Sequence, residues 1–193
     1  MHPDEAADLI HRAQAGDPAA FDVMVDDYGP RLYGYLYRLV GSRHDAEDLL
    51  QELFVRVVKT IGRYEHDGRF EGWLFRIATN LVRDRVRRQT STLPAKVSDA
   101  DGEYLSGVPA DRELSDPSCR LVLTEEVDRL QRALGRLSEA EREVVMLRHF
   151  SGLSFREIAD LMGTPLGTAL ARAHRGLQHL RQLMGDEAAG LAD

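Results

Sequence analysis

Four arginines fall within about two helical turns of the segment NLVRDRVRR, which spans residues 80–88. Only Asp84 carries a negative charge there, although the 193-residue chain as a whole has a formal net charge of −7. Clustered arginines neutralise the phosphates of nucleic acids, and a basic patch on an acidic chain restricts such binding to one face. The alternative is a solvated helix end.

A second candidate for DNA contact is the string SFREIADLMGTPLGTALARAHRGL. Ser154 and Glu157 have the spacing of a capping box, and Gly163 can supply a left-handed turn. Thr164-Pro165 is then expected to cap and start a second helix. This order predicts a helix-turn-helix, while the alternative is a helical hairpin with a solvated basic face. The second helix carries these basic residues: Arg172, His174, Arg175, His179 and Arg181.

The elements that must position these residues are helices, because apolar residues recur at three-to-four spacing and no strand-like alternation occurs. Asp17-Pro18 predicts the start of one helix. Gly29-Pro30 is expected to stop it, and Ser42 to cap the next helix. The sequence therefore predicts an all-α protein.

The helix after Ser42 has two contrasting faces. Its apolar stripe is expected to turn inward and contains Leu50, Leu53, Phe54, Val57, Val58 and Ile61. The opposite face is then formed by Asp48, Gln51, Glu52, Val55 and Lys59. An apolar Val55 within a polar surface indicates the centre of a protein interface. A plain solvated face would explain the charges but not this valine.

Helical periodicity is lost after residue 89, where Ser, Asp, Gly and Pro dominate. Such composition is typical of a linker. We therefore expect two small helical domains, 1–89 and 120–185, joined by a flexible acidic linker over 90–119. Residues 186–193 are expected to form a frayed tail.

Composition and motifs argue against several classes of protein. The single cysteine, Cys119, excludes an intramolecular disulfide and fits a small buried or linker thiol in a reducing cytoplasm. No metal or cofactor motif is found, and the absence of P-loop, HExxH and nucleophile-elbow patterns argues against an enzyme. No signal peptide and no long apolar run appear, so we expect a cytoplasmic protein without membrane insertion.

Three strings carry a resemblance to a known family. LSEAEREVVMLRHFSGLSFREIADLMGTPLGTALARAHRGLQHLR resembles region 4 of bacterial sigma factors. DAEDLLQELFVRV resembles the region 2 helix that grips the β′ coiled coil of RNA polymerase, and RFEGWLFRIATNLVRDRVRR resembles the segment that reads and opens the −10 element. The likeness is to the small, two-domain extracytoplasmic-function (ECF) class.

This resemblance implies promoter-specific transcription initiation together with core RNA polymerase, through its β′ coiled coil and β flap. Promoter DNA is an implied partner, and the sequence leaves an anti-sigma factor open. The polymerase-binding residues would be Asp48, Gln51, Glu52, Val55 and Lys59. The −10 element would be bound by Arg69, Phe70, Asn80, Arg83, Asp84, Arg87 and Arg88. The −35 element would be bound by Thr168, Leu170, Ala171, Arg172, His174 and Arg175.

Individual roles around the −10 segment differ. By resemblance, Asn80 suits a base contact, because an amide both donates and accepts. Asp84 either orients an arginine or forms an intrahelical pair. Trp73 and Phe75 fit the core better than base stacking, and the preceding loop HDGRF is expected to capture a flipped base.

The recognition helix departs from the valine-lysine-serine-arginine pattern common in the family, because residues 169–172 read Ala-Leu-Ala-Arg. Ala169 is expected to face inward. Leu170 either contacts a thymine methyl or another protein, or the −35 contact is weak. We favour the weak contact, which would depend on Arg172, His174 and Arg175.

Two alternatives stay open. The chain would otherwise be a stand-alone helix-turn-helix regulator whose N-terminal domain senses a signal or dimerises, although this leaves the basic segment 80–88 unexplained. The acidic linker either imitates nucleic acid near the RNA path or is a plain spacer.

Overall fold

The computed structural model describes the backbone of residues 3–92 and 117–189, and the side chains of residues 5–88 and 126–185. Within these ranges the chain forms helices and turns without strands. It divides into two compact units, Met1–Asp101 and Gly102–Asp193. The predicted all-α fold with two small helical domains is therefore confirmed. Most of the predicted linker, including the side chain of Cys119, lies outside the described residues.

Within the described residues, the N-terminal unit forms four helices and one short 3-10 turn. The helices are α1 (Pro3–Gln14), α2 (Pro18–Val40), α3 (Arg43–Thr60) and α4 (Phe70–Thr92), and the 3-10 turn is Ile61–Arg63 between α3 and α4. Helix α1 was not predicted from the sequence. Its Leu9, Ile10 and Ala13 are buried, so it belongs to the core of this unit.

The predicted caps of α2 and α3 are confirmed. The Asp17 side chain accepts a hydrogen bond from the backbone amide of Ala19 at 3.0 Å. The Ser42 hydroxyl accepts one from the amide of Asp45 at 3.3 Å. Each bond satisfies an amide that the first turn of a helix leaves without a partner.

The predicted helix stop at Gly29-Pro30 is wrong, because α2 continues through Pro30 to Val40. Proline inside a helix costs about 3 kcal/mol, since it removes one hydrogen bond and crowds the preceding turn. Buried residues nevertheless keep helical spacing across the proline: Ala20, Met24, Tyr28, Leu32, Tyr35, Leu36 and Leu39. One continuous buried face thus favours a single helix over two shorter ones.

In the part of the C-terminal unit that the structure describes there are four further helices: α5 (Pro117–Gly135), α6 (Glu139–Phe150), α7 (Phe155–Met162) and α8 (Leu166–Ala189). Helix α8 passes the expected end at residue 185, so the first part of the predicted frayed tail is helical backbone. Helix α4 likewise passes residue 89. Residues 190–193 lie outside the described part of the chain.

Two properties of the described residues bear on function. None of their helices is both long and apolar enough to cross a membrane. The same residues contain no group of three or more His, Cys, Asp or Glu side chains placed to hold a metal ion.

Candidate protein and nucleic-acid interfaces

The outer face of α3 is formed by the residues that the sequence predicts. All five predicted residues are exposed on this helix: Asp48, Gln51, Glu52, Val55 and Lys59. Val55 has 51% of its surface exposed, which is high for an aliphatic residue in the middle of a helix. The face thus combines an exposed apolar residue with surrounding charged residues.

The inner face of α3 needs a correction. Leu53 and Val57 are fully buried as predicted, but Val58 is 54% exposed and Leu49 is buried instead. The buried positions follow a spacing of three or four residues from Ala46, and this phase turns Val58 outward. Val55 and Val58 are consequently both exposed on this helix.

The aromatic side chain at the start of α4 also needs a correction. Phe70 is only 3% exposed, and its ring lies 5.4–5.5 Å from those of Tyr28, Tyr64 and Trp73. Its predicted DNA contact does not fit this position, because the ring is enclosed by other aromatic rings. Phe75 is buried as expected, and Trp73 is partly buried.

The loop before α4 is fixed at both ends. Its Gly68 has a φ of 80°, a left-handed conformation that favours glycine. The Asp67 side chain accepts a hydrogen bond from the amide of Arg69 at 3.1 Å, and Arg69 is exposed. From α1, the Gln14 amide donates to the carbonyl oxygens of Ile61 at 3.0 Å and Tyr64 at 2.7 Å. No local pattern in the sequence indicates this anchor.

The arginines of α4 divide into two kinds. Arg85 forms an ion pair with Asp45 of α3, so it joins two helices. Arg87 Nη2 lies 2.5 Å from Asp84 Oδ1, and Arg88 Nε donates to the Asp84 backbone oxygen at 3.2 Å. Asp84 therefore forms the intrahelical pair that was one of its two predicted roles, and Arg87 and Arg88 remain exposed.

The other predicted residues of α4 lie near this exposed end. Asn80 is exposed and Arg83 is partly exposed. Together with Arg87 and Arg88 they give α4 polar and basic groups beyond its buried first half.

The turn between α7 and α8 has the predicted geometry. Ser154 and Glu157 form a complete capping box: the Glu157 amide donates to the Ser154 hydroxyl at 3.3 Å, and the Ser154 amide donates to the Glu157 carboxylate at 2.9 Å. Gly163 has a φ of 61°, and its amide ends α7 by donating to the backbone oxygens of Ala159 and Asp160. The helix-turn-helix predicted from the sequence is present.

The predicted cap at Thr164 is wrong. Within the described residues, Thr164 Oγ1 is buried and has no hydrogen-bond partner. The Pro165 carbonyl instead accepts from the amides of Thr168 and Ala169, at 2.9 and 3.1 Å. Helix α8 accordingly begins at Leu166.

Helix α8 presents two different flanks beside its buried face. Ala169 is fully buried, as predicted. One flank exposes the apolar residues Leu166, Leu170 and Leu177. The other flank contains, at helical spacing, Thr168, Arg172, Arg175 and His179. Of the remaining predicted residues, His174 is exposed and Ala171 is partly exposed.

Beneath the second flank lies the carboxylate of Glu141, in the first turn of α6. The hydroxyl of Ser138, which caps α6, donates to Glu141 Oε2 at 2.8 Å. Arg175 Nε lies 3.4 Å from Oε1, and His179 Nδ1 lies 3.5 Å from Oε2. The Ser138 hydroxyl, and after it Arg175 and His179, hold the pKa of Glu141 below its ordinary value. Sequence reasoning missed this carboxylate as a partner of the recognition helix.

Gly176 is the point where α6 and α8 cross closely. A Cβ atom at this position would lie 2.9 Å from Val145 Cγ2 and 3.3 Å from Glu141 Cβ. Both distances are shorter than ordinary packing contacts. The missing side chain therefore lets α8 approach α6 between Arg175 and His179.

Family models match both units. Sigma-70 region 2 matches residues 24–92, and sigma-70 region 4 matches residues 128–180. These matches place the chain in the class of sigma-70-type proteins.

Whole-chain comparisons define the family. The chain is 35% identical over 180 residues to the ECF RNA polymerase sigma factor SigW of Bacillus subtilis, covering 92% of this chain and 95% of that protein. It is 41% identical over 175 residues to the ECF sigma factor SigE of Mycolicibacterium smegmatis, covering 88% of this chain and 64% of that longer protein. The chain belongs to the family of ECF RNA polymerase sigma factors.

A solved structure shares this architecture. CnrH, in complex with the cytosolic domain of CnrY, aligns with a TM-score of 0.64 and 25% identity, covering 92% of this chain and 96% of CnrH. Proteins of this family are transcription initiation factors.

Proposed function

We propose that this chain is a promoter-specificity subunit, which binds core RNA polymerase and directs initiation by recognising −35 and −10 elements. The observation that carries the proposal is the presence of sigma regions 2 and 4 in two separate units, in that order. A stand-alone regulator would need only the helix-turn-helix and gives no reason for a region 2 unit. The family relationship over 92% of the chain also favours the sigma factor.

The polymerase contact is assigned to the outer face of α3, which would bind the β′ coiled coil. Support comes from the exposure of Val55 among the acidic Asp48 and Glu52. Interfaces of this kind combine an apolar centre with a polar rim. Val58 extends the exposed apolar surface of the same helix. Region 4 is assigned the second polymerase contact, with the β flap.

Contact with the −10 element is assigned to the exposed end of α4 and the loop before it. Asn80 offers an amide for base contact, while Arg83, Arg87 and Arg88 offer charge to phosphates. Arg69 is exposed in the loop. Phe70 is left out of this assignment because it is enclosed in the core.

Contact with the −35 element is assigned to α8, the second helix of the helix-turn-helix. The recognition helix of such motifs enters the major groove with its N-terminal residues on base edges. In α8 these positions include Thr168, Leu170 and Ala171, which are at least partly exposed. Because Leu170 and Ala171 offer no polar group, base reading here is expected to be weak.

Further parts of the proposal concern partners and location. CnrH was solved with the cytosolic domain of CnrY, and by likeness we assign this chain a protein regulator, an anti-sigma factor. The chain itself is assigned no catalysis, since the polymerase forms the phosphodiester bonds. It is assigned to the cytoplasm, where polymerase and DNA are found. The acidic linker region is assigned no specific contact.

The test is reconstitution with core polymerase from a bacterium that encodes an ECF factor. Promoters would first be identified by sequencing the transcripts that appear when the chain is overexpressed. Pull-down and run-off transcription on such a promoter should each require the full chain and core enzyme together. Tight, sequence-specific DNA binding by the chain alone, without polymerase binding, would favour the stand-alone regulator.

A further inference from the structure

The carboxylate of Glu141 links the two helices that cross at Gly176. The residue is only 7% exposed, yet it contacts Ser138 on its own helix and both Arg175 and His179 on α8. A carboxylate held by several partners fixes their side chains as well as its own. Its place in the first turn of α6 offsets part of its negative charge, because helix N-termini carry partial positive charge.

Arg175 is held in a way that leaves it able to bind a second group. Its contact with Glu141 is made through Nε, at 3.4 Å, so the two terminal nitrogens lie outside this contact. The Arg175 side chain is 56% exposed, and that of His179, one turn later, is 50% exposed. Both side chains thus combine a fixed inner contact with an exposed outer part.

The position of this pair along α8 indicates what it would meet. Arg175 and His179 lie nine and thirteen residues after Leu166, or about 14 and 20 Å along the axis. If the first turns of α8 enter the groove, side chains this far along the helix approach the wall of the groove, where the phosphates lie. Phosphate contacts position a protein without reading sequence.

We propose that Arg175 and His179 form a phosphate-binding subsite for the DNA backbone beside the −35 element, with Glu141 as the positioning residue that holds both. The inference rests on the proposed function. It replaces the base-contact role expected for Arg175 and adds His179 to the DNA-binding residues.

The test uses the full chain assembled with core polymerase and two DNA fragments. One is a promoter identified as above, and the other is the same fragment with its −35 sequence scrambled. Arg175→Ala should weaken binding to both fragments by the same factor, about tenfold. It should also lower the salt slope, which is the steepness with which log binding constant falls with log salt concentration, by about one. His179→Ala should weaken both equally, by about threefold. Gln178→Ala, an exposed neighbour on α8, is the matched control and should have no effect.

A double-mutant cycle tests the positioning role of Glu141. Glu141→Ala should weaken binding in the wild-type background by about threefold and have no further effect in the background that combines Arg175→Ala with His179→Ala. If Glu141→Ala unfolds the unit, Glu141→Arg and Glu141→Gln are compared in the same cycle: glutamine keeps a hydrogen-bond acceptor and should retain affinity, and arginine should not. An equal loss in both backgrounds would show a purely structural role and overturn the positioning.

Three further outcomes separate the possible failures. Arg175→Ala that weakens only the intact promoter would show base reading and overturn the phosphate subsite. If wild-type chain fails to direct transcription with core polymerase, the proposed function itself fails. If wild-type chain succeeds and the Arg175 and His179 variants bind like wild type, only the subsite fails.

Discussion

Helices α4 and α8 both present basic residues, but their units hold them differently. In the N-terminal unit, α4 is tied to α3 by the Arg85–Asp45 pair, whose side chains are each 28% exposed. In the C-terminal unit, α8 is held on α6 by the crossing at Gly176 and by Glu141, whose side chain is 9% exposed. Both partners of the first pair are thus partly exposed, whereas in the second contact a buried carboxylate holds the exposed side chains of Arg175 and His179.

This difference affects how function can be divided among helices. The N-terminal unit puts its candidate protein contact on α3 and its candidate DNA contact on α4. The C-terminal unit puts the glycine of its close crossing, its exposed leucines and its basic residues on α8. Changes in the first unit should therefore separate the two functions, whereas changes in α8 should affect several properties together.

The largest effect is expected from reversing charge on the outer face of α3. Asp48→Arg combined with Glu52→Arg should weaken polymerase binding by about 3 kcal/mol, because arginine would replace two acidic groups on the assigned contact face. Thermal unfolding should hardly change, since both residues are exposed. Asp22→Arg, an exposed acid on α2, is the matched control. Loss of folding, with no defect specific to polymerase, would mean that this face is not the interface. Affinity would be measured by titrating labelled protein with core enzyme.

The second effect concerns the close crossing in the C-terminal unit. Gly176→Ala should lower the free energy of unfolding by about 2 kcal/mol, because its Cβ would overlap Val145 Cγ2 and crowd Glu141 Cβ. Gly167→Ala on the same helix has open space and should stabilise by about 0.5 kcal/mol through helix propensity. Denaturant unfolding of both variants provides the comparison. Equal behaviour of the two variants would contradict the close crossing.

The third effect separates the arginines of α4. Arg85→Ala should lower the free energy of unfolding by about 1 kcal/mol, a modest value because water screens the pair with Asp45. It should leave the salt dependence of promoter opening unchanged. The double variant Arg87→Ala, Arg88→Ala should instead lower the salt slope of promoter opening by about one to two and change the free energy of unfolding little. Permanganate footprinting over a salt series measures opening. A flattened slope for Arg85→Ala alone would remove the distinction between the two kinds of arginine.

The smallest effect tests the leucine flank of α8. Leu170→Lys should raise promoter affinity by less than about 1 kcal/mol and steepen the salt slope by about one, if position 170 faces the DNA backbone. Leu177→Lys lies on the same flank about 10 Å further along the helix and is the control. Filter binding of the polymerase complex over a salt series measures both quantities. Unchanged binding by Leu170→Lys would make a protein contact the better explanation for this flank.

Local signals in the sequence predicted much of the fold. The caps at Asp17, Ser42 and Ser154 and the turn at Gly163 follow from side-chain and backbone preferences within a few residues. The stop at Pro30 failed because a continuous buried face outweighs the local cost of proline.

The candidate sites show the same limit. Exposure of Val55 followed from helical periodicity, but the enclosure of Phe70 depends on rings from α2 and from the segment before α4. The contacts of Arg175 and His179 with Glu141 join residues 34 and more positions apart. Spacing along the chain carries no information about such pairs until the helices are packed.

The anchor from Gln14 has a practical consequence for dividing this protein into fragments. The region 2 match starts at residue 24, so a truncation at that boundary would remove α1 and both hydrogen bonds to the carbonyls of Ile61 and Tyr64. It would also uncover apolar surface that Leu9 and Ile10 now cover. A fragment trimmed to the family boundary would thus be prone to aggregate, and the segment before α4 would lose its hydrogen bonds to α1. Residues 3–14 belong in any minimal version of the N-terminal unit.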